Sequence, residues 1–360
     1  MKRFFCILLA FLLLWGAAAM GEEKPWQEKE VIPDTLELIP ISDALSQVRF
    51  MRRIVNNCDA FPTSAMEERV YNYNAIFDSL QPHIPVYLYL AESSRSHPME
   101  FSFDEDSNAY IYLMDNLHAD GMEHLKFDTF EQFCQYYYTT DHHWNYRGSY
   151  QAYVDIVKML KGPEEEVLKP SGEVTFPVYF HGSFCRDTKL QFSQEYFTVY
   201  DFDPFPSYTA YINGKKRDYD HFANYLTGTI NTKPLVNHYA LYYGGDYGFI
   251  VFENTETAAE PEQAAEETGI AQETADAAAA AQPEGKGTLL IFGNSLSNAV
   301  KTMLIHHYDR IVYVDLRHYN TSRGMGKPFS MHELLEEYPV DQILLLGDVN
   351  LFMDGELMNP

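Results

Sequence analysis

The sequence predicts a three-layer α/β protein, with helices on both faces of a parallel central sheet. Three observations lead there. Thr288–Phe292 is apolar almost throughout, as a strand buried on both faces must be. The pattern after it alternates: a helix over Leu296–His307, a strand at Ile311–Val314, a helix over Met331–Tyr338 and a strand at Gln342–Leu346. A β-α-β-α-β series folds into a parallel sheet with crossover helices. Val86–Leu90 is a further apolar strand, and it opens into the polar run Glu92–His97, as strands do at the ligand edge of such sheets.

The remaining elements follow in order. Lys2 and Arg3 precede an apolar run, Phe4–Trp15, and then Ala17, Ala18 and Ala19. Residues 1–20 therefore read as a secretory signal with cleavage after Ala19, or as a retained membrane anchor. Residues 21–64 read as a lead-in, with an amphipathic helix expected over Asp43–Asn57. Residues 65–360 form the expected main domain. Ala65–Leu80 and Phe127–Tyr138 read as helices. Asn145 caps a helix over Arg147–Leu160. Val174–Tyr211 reads as short strands with small β insertions, turning at Asp203-Pro204 and Asn213-Gly214. Tyr239–Phe252 reads as a hairpin turning at Gly244-Gly245-Asp246. The stretch 253–287 is rich in Ala, Glu and Thr, with no Lys or Arg before Lys286. It offers no apolar face to bury and reads as a low-complexity acidic insert.

With 360 residues and a formal charge of -26, the chain is long enough for one large domain and is ill suited to nucleic acid. The charge and the N-terminal segment together suggest an extracytoplasmic protein, secreted or anchored by that segment. Of the four cysteines, Cys6 falls in the N-terminal segment. Cys58, Cys134 and Cys185 remain, too few for a disulfide framework and without metal spacing.

Chemistry concentrates in Tyr136–Tyr146, which contains Asp141, His142 and His143. If this run is extended, alternation places Asp141 and His143 on one side and His142 on the other. A carboxylate beside an imidazole fixes the tautomer of a general base. Ser295 is the candidate nucleophile, because it stands where a buried strand gives way to a helix. Its own N–H, the Gly245 N–H and the Asn298 amide are candidate oxyanion donors. Arg317 could bind a carboxylate or phosphate, or pair with Asp315 or Asp348. A metal-dependent phosphoesterase built on Asp141, His142 and His143 is an alternative, but such sites draw on further Asp and His clusters.

Thr140-Asp141-His142-His143-Trp144, followed by Gly148, Ala152 and Tyr153, resembles the signature of the bacterial DHHW family. That family is similar to the SGNH-hydrolase-like enzymes that acetylate alginate. Gly244-Gly245-Asp246 resembles its Gly-rich turn. Asn294-Ser295-Leu296-Ser297-Asn298 resembles its Asp-Ser-x-x-Asn element. Val314-Asp315-Leu316-Arg317-His318-Tyr319 resembles its Ile-Asp-Leu-Arg-Tyr-Tyr element. The resemblance covers roughly Tyr71 to Phe352, without the acidic insert. It implies an SGNH-like α/β/α fold and a triad of Asp141, His143 and Ser295, with no cofactor. It further implies two-step acyl transfer to or from a polysaccharide, with a membrane-bound acyltransferase as a partner. Asn294 departs from the pattern, since the related elements carry Asp there. That departure keeps open a non-catalytic glycan-binding or assembly role on the same fold.

Overall fold

A computed structural model describes residues 32, 36–99, 105–191, 194–219, 222, 231–255 and 285–360. The expected signal or anchor, and residues 256–284 of the expected 253–287 insert, lie outside the described residues; Glu253 and Asn254 belong instead to the strand Phe249–Asn254. No helix among the described residues is long and apolar enough to cross a membrane.

The centre is an eight-stranded sheet. Its strands are β4 (Val86–Leu90), β5 (Gly121–His124), β8 (Tyr208–Ile212), β9 (Lys215–Tyr219), β10 (Phe249–Asn254), β11 (Thr288–Gly293), β12 (Arg310–Val314) and β13 (Gln342–Gly347). They lie in the order β5-β4-β13-β11-β12-β10-β8-β9. The first five run parallel; β10, β8 and β9 add antiparallel pairings on one side. The sheet is therefore mixed rather than wholly parallel. Successive residues of β11 serve opposite cores: Leu289 and Ile291 pack on one face, Leu290 and Phe292 on the other. That two-sided burial is why the strand is apolar without alternation.

Helices cover both faces. On one side pack α1 (Ser64–Ser79), α2 (Asn108–Asn116) and α7 (Met331–Glu337). On the other pack α3 (Phe130–Tyr136) and α4 (Tyr146–Lys161), beside the β6–β7 ribbon (Gly172–Tyr179, Tyr196–Asp201). α4 starts as its sequence suggests: the Asn145 side chain accepts from Arg147 N–H and Gly148 N–H at 2.9 and 3.2 Å, satisfying two orphan donors of the first turn.

Four expected elements differ. Asp43–Asn57 is no helix. β1 (Leu38–Pro40), β2 (Leu45–Val48) and β3 (Ile54–Asn56) form an antiparallel meander, whose buried positions serve the turn beyond Tyr136. Within Val174–Tyr211, α5 (Ser183–Thr188) interrupts the strands. Tyr239–Phe252 is no hairpin: α6 (His238–Tyr243) is capped by the Asn237 side chain, which accepts from Ala240 N–H, and β10 follows. Leu296–His307 is not one helix but two 3₁₀ turns, Ser295–Ala299 and Met303–His307.

The ends of the acidic insert lie close together. Glu253 of β10 and Thr288 of β11 both pair with Arg310 of β12, so they stand two strand spacings, about 10 Å, apart. Loop-closure cost changes slowly with length. Replacing residues 256–284 by a short Gly-Ser linker should therefore leave the melting temperature within a few degrees of the parent. Loss of soluble protein on that deletion would show that the insert contributes to the core.

Candidate active site

The parallel strands β4, β13, β11 and β12 end at one edge of the sheet. There the chain places Glu92 and Ser93, Asp348, Asn294 and Ser295, and Asp315 and Arg317. Ser295 opens a 3₁₀ turn in which Leu296 to Ala299 are buried while Ser295 itself is part-exposed. The turn is held from within. The Ser297 hydroxyl donates to the Asn294 carbonyl at 2.6 Å and to Tyr313 at 3.1 Å. Gly293 makes room for it, since a Cβ there would stand 2.6 Å from Ser297 Oγ.

Asp141 and His143 sit in a closed turn between α3 and α4. Tyr137 and Trp144 bridge its base, and Asn145 N–H donates to the Tyr136 carbonyl at 2.7 Å. The Asp141 carboxylate accepts from His143 N–H at 3.0 Å and faces His143 Nδ1 at 2.5 Å. The pairing thus arises from the carboxylate folding over its own backbone, not from strand alternation. Ser183 N–H, at the start of α5, donates to the other carboxylate oxygen at 2.6 Å. Burial alone would raise the pKa of this carboxyl. The adjacent His143 imidazole outweighs that and holds the group well below the usual carboxylate range, so it stays ionised at neutral pH.

His142 points elsewhere but not far. Its Nδ1 lies 2.7 Å from Ser183 Oγ and 3.6 Å from Asp141 Oδ1. Desolvation and the neighbouring His143 pull its pKa below the ordinary imidazole range, although the side chain stays 30% exposed. Asp141, His142 and His143 are the one group of three such donors within 4.8 Å of one another among the described residues. The Asp141 oxygens already accept two backbone N–H groups and face an imidazole nitrogen. That arrangement fits an oriented acid–imidazole pair better than a cation cage.

The meander braces the turn from behind. Ile54 N–H donates to the Thr139 carbonyl at 3.0 Å. The buried Arg53 guanidinium donates to the Tyr138, Tyr137 and Cys134 carbonyls at 3.2–3.4 Å. On the opposite flank, Gly182 lies against Asp141. A Cβ at residue 182 would collide with the Thr140 carbonyl and the Asp141 Cβ. Gly182→Ala should therefore push Ser183 N–H off the carboxylate. It should cost about 1–3 kcal/mol, as overpacking does, read as a lower melting temperature with a matching loss of activity. An unchanged melt would show that the α5 start can give way.

The turn reaches the Ser295 segment through two aromatic residues. Trp144 Nε1 donates to the Leu296 carbonyl at 3.1 Å. Tyr239 stacks on His143 with ring centroids 3.9 Å apart, and its hydroxyl donates to the Ser295 and Leu296 carbonyls at 3.1 and 3.2 Å. Tyr239 thus touches both the imidazole and the backbone of Ser295. His143 Nε2 is buried and has no hydrogen-bond partner among the described residues. So Ser295 and His143 belong to one neighbourhood without a hydrogen bond between them.

The other candidates are placed as follows. Asn298 Nδ2 donates to Asp246 at 2.9 Å, and its oxygen accepts from Lys301 at 2.6 Å. Burial pulls the Lys301 ammonium down to about 8; it lies 3.9 Å from the Tyr313 ring centroid. Arg317 takes the structural option, pairing with both oxygens of Asp315 at 2.9 and 2.7 Å. Gly245 follows α6 and edges a cavity of about 810 Å³, lined also by Tyr208, Tyr219, Tyr243 and Lys301. Asp141, His143 and Ser295 do not line that cavity. Gly182, Ser183 and Tyr239 escape a reading of the sequence as site residues, because each matters through a contact made across the fold.

No protein-family model matches the sequence, and no curated protein matches it significantly. Solved structures do match. The fold is an SGNH-hydrolase-like α/β fold. The chain is similar to a DHHW family protein from Eubacterium siraeum, at 15% identity and a TM-score of 0.61, over 90% of this chain and 96% of that one. It is similar to PatB1 of Bacillus cereus, at 17% identity and a TM-score of 0.60, over 90% and 99%. PatB1 with a sulfonyl adduct gives 16% identity and a TM-score of 0.58, over 89% and 97%. At these identities the likeness is one of fold.

Proposed function

We propose that this protein is an extracytoplasmic O-acyltransferase or esterase acting on a cell-envelope or secreted polysaccharide through Ser295, His143 and Asp141. The observation that carries the reading is the Asp141–His143 contact of 2.5 Å, which leaves His143 Nε2 with no hydrogen-bond partner among the described residues, near the Ser295 turn to which Tyr239 ties the ring. His143 takes the Ser295 proton as the hydroxyl attacks an acyl ester. The ester oxygen leaves with a proton returned from His143. A sugar hydroxyl or water then attacks the acyl-enzyme and gives its proton to His143, which passes it to the departing Ser295 oxygen as the new ester or free acid leaves. Closing the gap between Ser295 and His143 is the adjustment that substrate binding must bring, as apo geometry often requires. A membrane-bound acyltransferase would supply the acyl group.

The test uses an activated aryl acetate and an aryl sulfonyl fluoride. The second probe is apt because PatB1, of like fold, has been solved with a sulfonyl adduct. Turnover together with label on the Ser295 peptide supports the reading. Absence of both, with glycan binding retained, moves the non-catalytic reading ahead. That alternative rests on the missing Ser295–His143 hydrogen bond and on Asn294.

A further inference from the structure

Asn294 has two distinct jobs in this fold. Its side-chain oxygen accepts from Leu296 N–H at 3.2 Å, shaping the turn that presents Ser295. Its nitrogen donates to Asp348 Oδ1 at 2.7 Å. Asp348 directly follows the neighbouring strand β13 and is buried. Gly347 permits the approach: a Cβ there would stand 2.7–2.8 Å from the Asn294 amide. Asp348 is itself held. It accepts from Asn350 N–H at 3.1 Å and from Asn350 Nδ2 at 2.9 Å. Asn350 Oδ1 accepts from Arg95 at 2.5 Å, and Arg95 pairs with Asp59 at 2.5 Å. A continuous polar chain thus runs from Asp59 to the Ser295 turn.

An aspartate at 294 would put a second carboxylate at hydrogen-bond distance from a buried one, and both could not ionise together. An amide donates instead. We propose that Asp348 is a positioning residue for Ser295, acting through the Asn294 amide, so that the carboxylate of this turn resides at position 348 rather than 294. Asn294 is then matched to its neighbour and is no mark of lost activity. The inference rests on the acyl-transfer reading of Ser295, and its test separates the two.

The test compares the parent, Asn294→Asp, and the exchanged pair Asn294→Asp with Asp348→Asn. Two readouts are taken from pH 5.5 to 8.5: melting temperature, and the rate of Ser295 acylation by an aryl acetate. In the single variant, one carboxyl of the pair keeps its proton to a raised pKa. Its stability should match the parent most closely at the acid end and fall as pH rises. The other charged or titratable groups facing Asp348 are Arg95, Arg317 and Tyr137, and the parent and both variants keep them. At pH 8 the single variant should acylate about tenfold more slowly than the parent, as coupled buried charges do. The ratio should approach one toward pH 5.5. The exchanged pair should lose the pH-dependent penalty. A constant loss across pH is expected in it, because the amide nitrogen introduced by Asp348→Asn, turned to the carboxylate at position 294, cannot accept the Asn350 N–H that Asp348 Oδ1 accepts in the parent. A single variant indistinguishable from the parent at every pH overturns the proposal. So does a pH-dependent defect that the exchange fails to remove. If the parent never acylates, the acyl-transfer reading fails, and with it the positioning role; the melting comparison would then show only a structural pairing.

Discussion

Replacing Ser295 by Ala should abolish labelling of the protein by an activated acyl ester and cut ester turnover by roughly a thousandfold or more, as loss of a nucleophile does. The expectation rests on placement. Ser295 is the part-exposed residue at the head of a turn whose next four residues are buried. That turn follows β11, which runs between the parallel strands β13 and β12, and its backbone is tied to the Asp141–His143 turn by Trp144 and Tyr239. Ser297 is the natural comparison, since it is two residues away. Its hydroxyl is fully buried and committed to the Asn294 carbonyl and Tyr313. Ser297→Ala should lower stability yet leave the label on residue 295. Mass spectrometry of the digested, labelled protein distinguishes the two. Full turnover in Ser295→Ala would remove the nucleophile assignment.

The sequence makes legible what is set locally or by two-sided burial. The strands at 86–90, 288–293, 310–314 and 342–347 are apolar because both faces are covered, and the Asn145 cap is set locally, by the Arg147 and Gly148 N–H groups just after it. What it hides depends on distant partners. Asp43–Asn57 has helix-compatible spacing, yet it folds as a meander because Arg53 and Ile54 find carbonyls on the Tyr136–Tyr146 turn, about eighty residues away. Gly244-Gly245 reads as a hairpin turn, but the preceding tyrosines are drawn into α6, where Tyr239 meets His143. Leu296–His307 has the apolar content of a helix. Its first turn is wound tightly by the Asn294 and Ser297 side chains, and the segment proceeds as two 3₁₀ turns. Asp141 and His143 do meet, though through a turn rather than an extended strand. Gly182, whose missing Cβ lets Ser183 N–H reach Asp141, carries no signal that sequence spacing could reveal.

His143→Ala should lose acyl transfer about as completely as Ser295→Ala, whereas His142→Ala should stay within roughly tenfold of the parent. The two imidazoles are adjacent in sequence and 3.9 Å apart by ring centroid, so the contrast tests the geometry rather than the location. His143 presents Nδ1 to Asp141 at 2.5 Å and keeps Nε2 for a proton. The carboxylate stays ionised because the imidazole beside it outweighs the cost of its burial, and an ionised partner favours the imidazolium that forms when the serine proton is taken. His142 has its Nδ1 against Ser183 Oγ instead. Desolvation and the neighbouring His143 disfavour a charge on that ring, and they outweigh the Asp141 carboxylate, which stands 3.6 Å from His142 Nδ1 against 2.5 Å from His143 Nδ1. Since the non-additivity of a catalytic unit is strong, Ser295→Ala combined with His143→Ala should be little worse than either change alone. Melting curves of all variants control for folding. Equal loss from the two histidine changes, with folding intact and a divalent metal retained by the parent protein, would replace the acid–imidazole pair by a metal site at Asp141, His142 and His143.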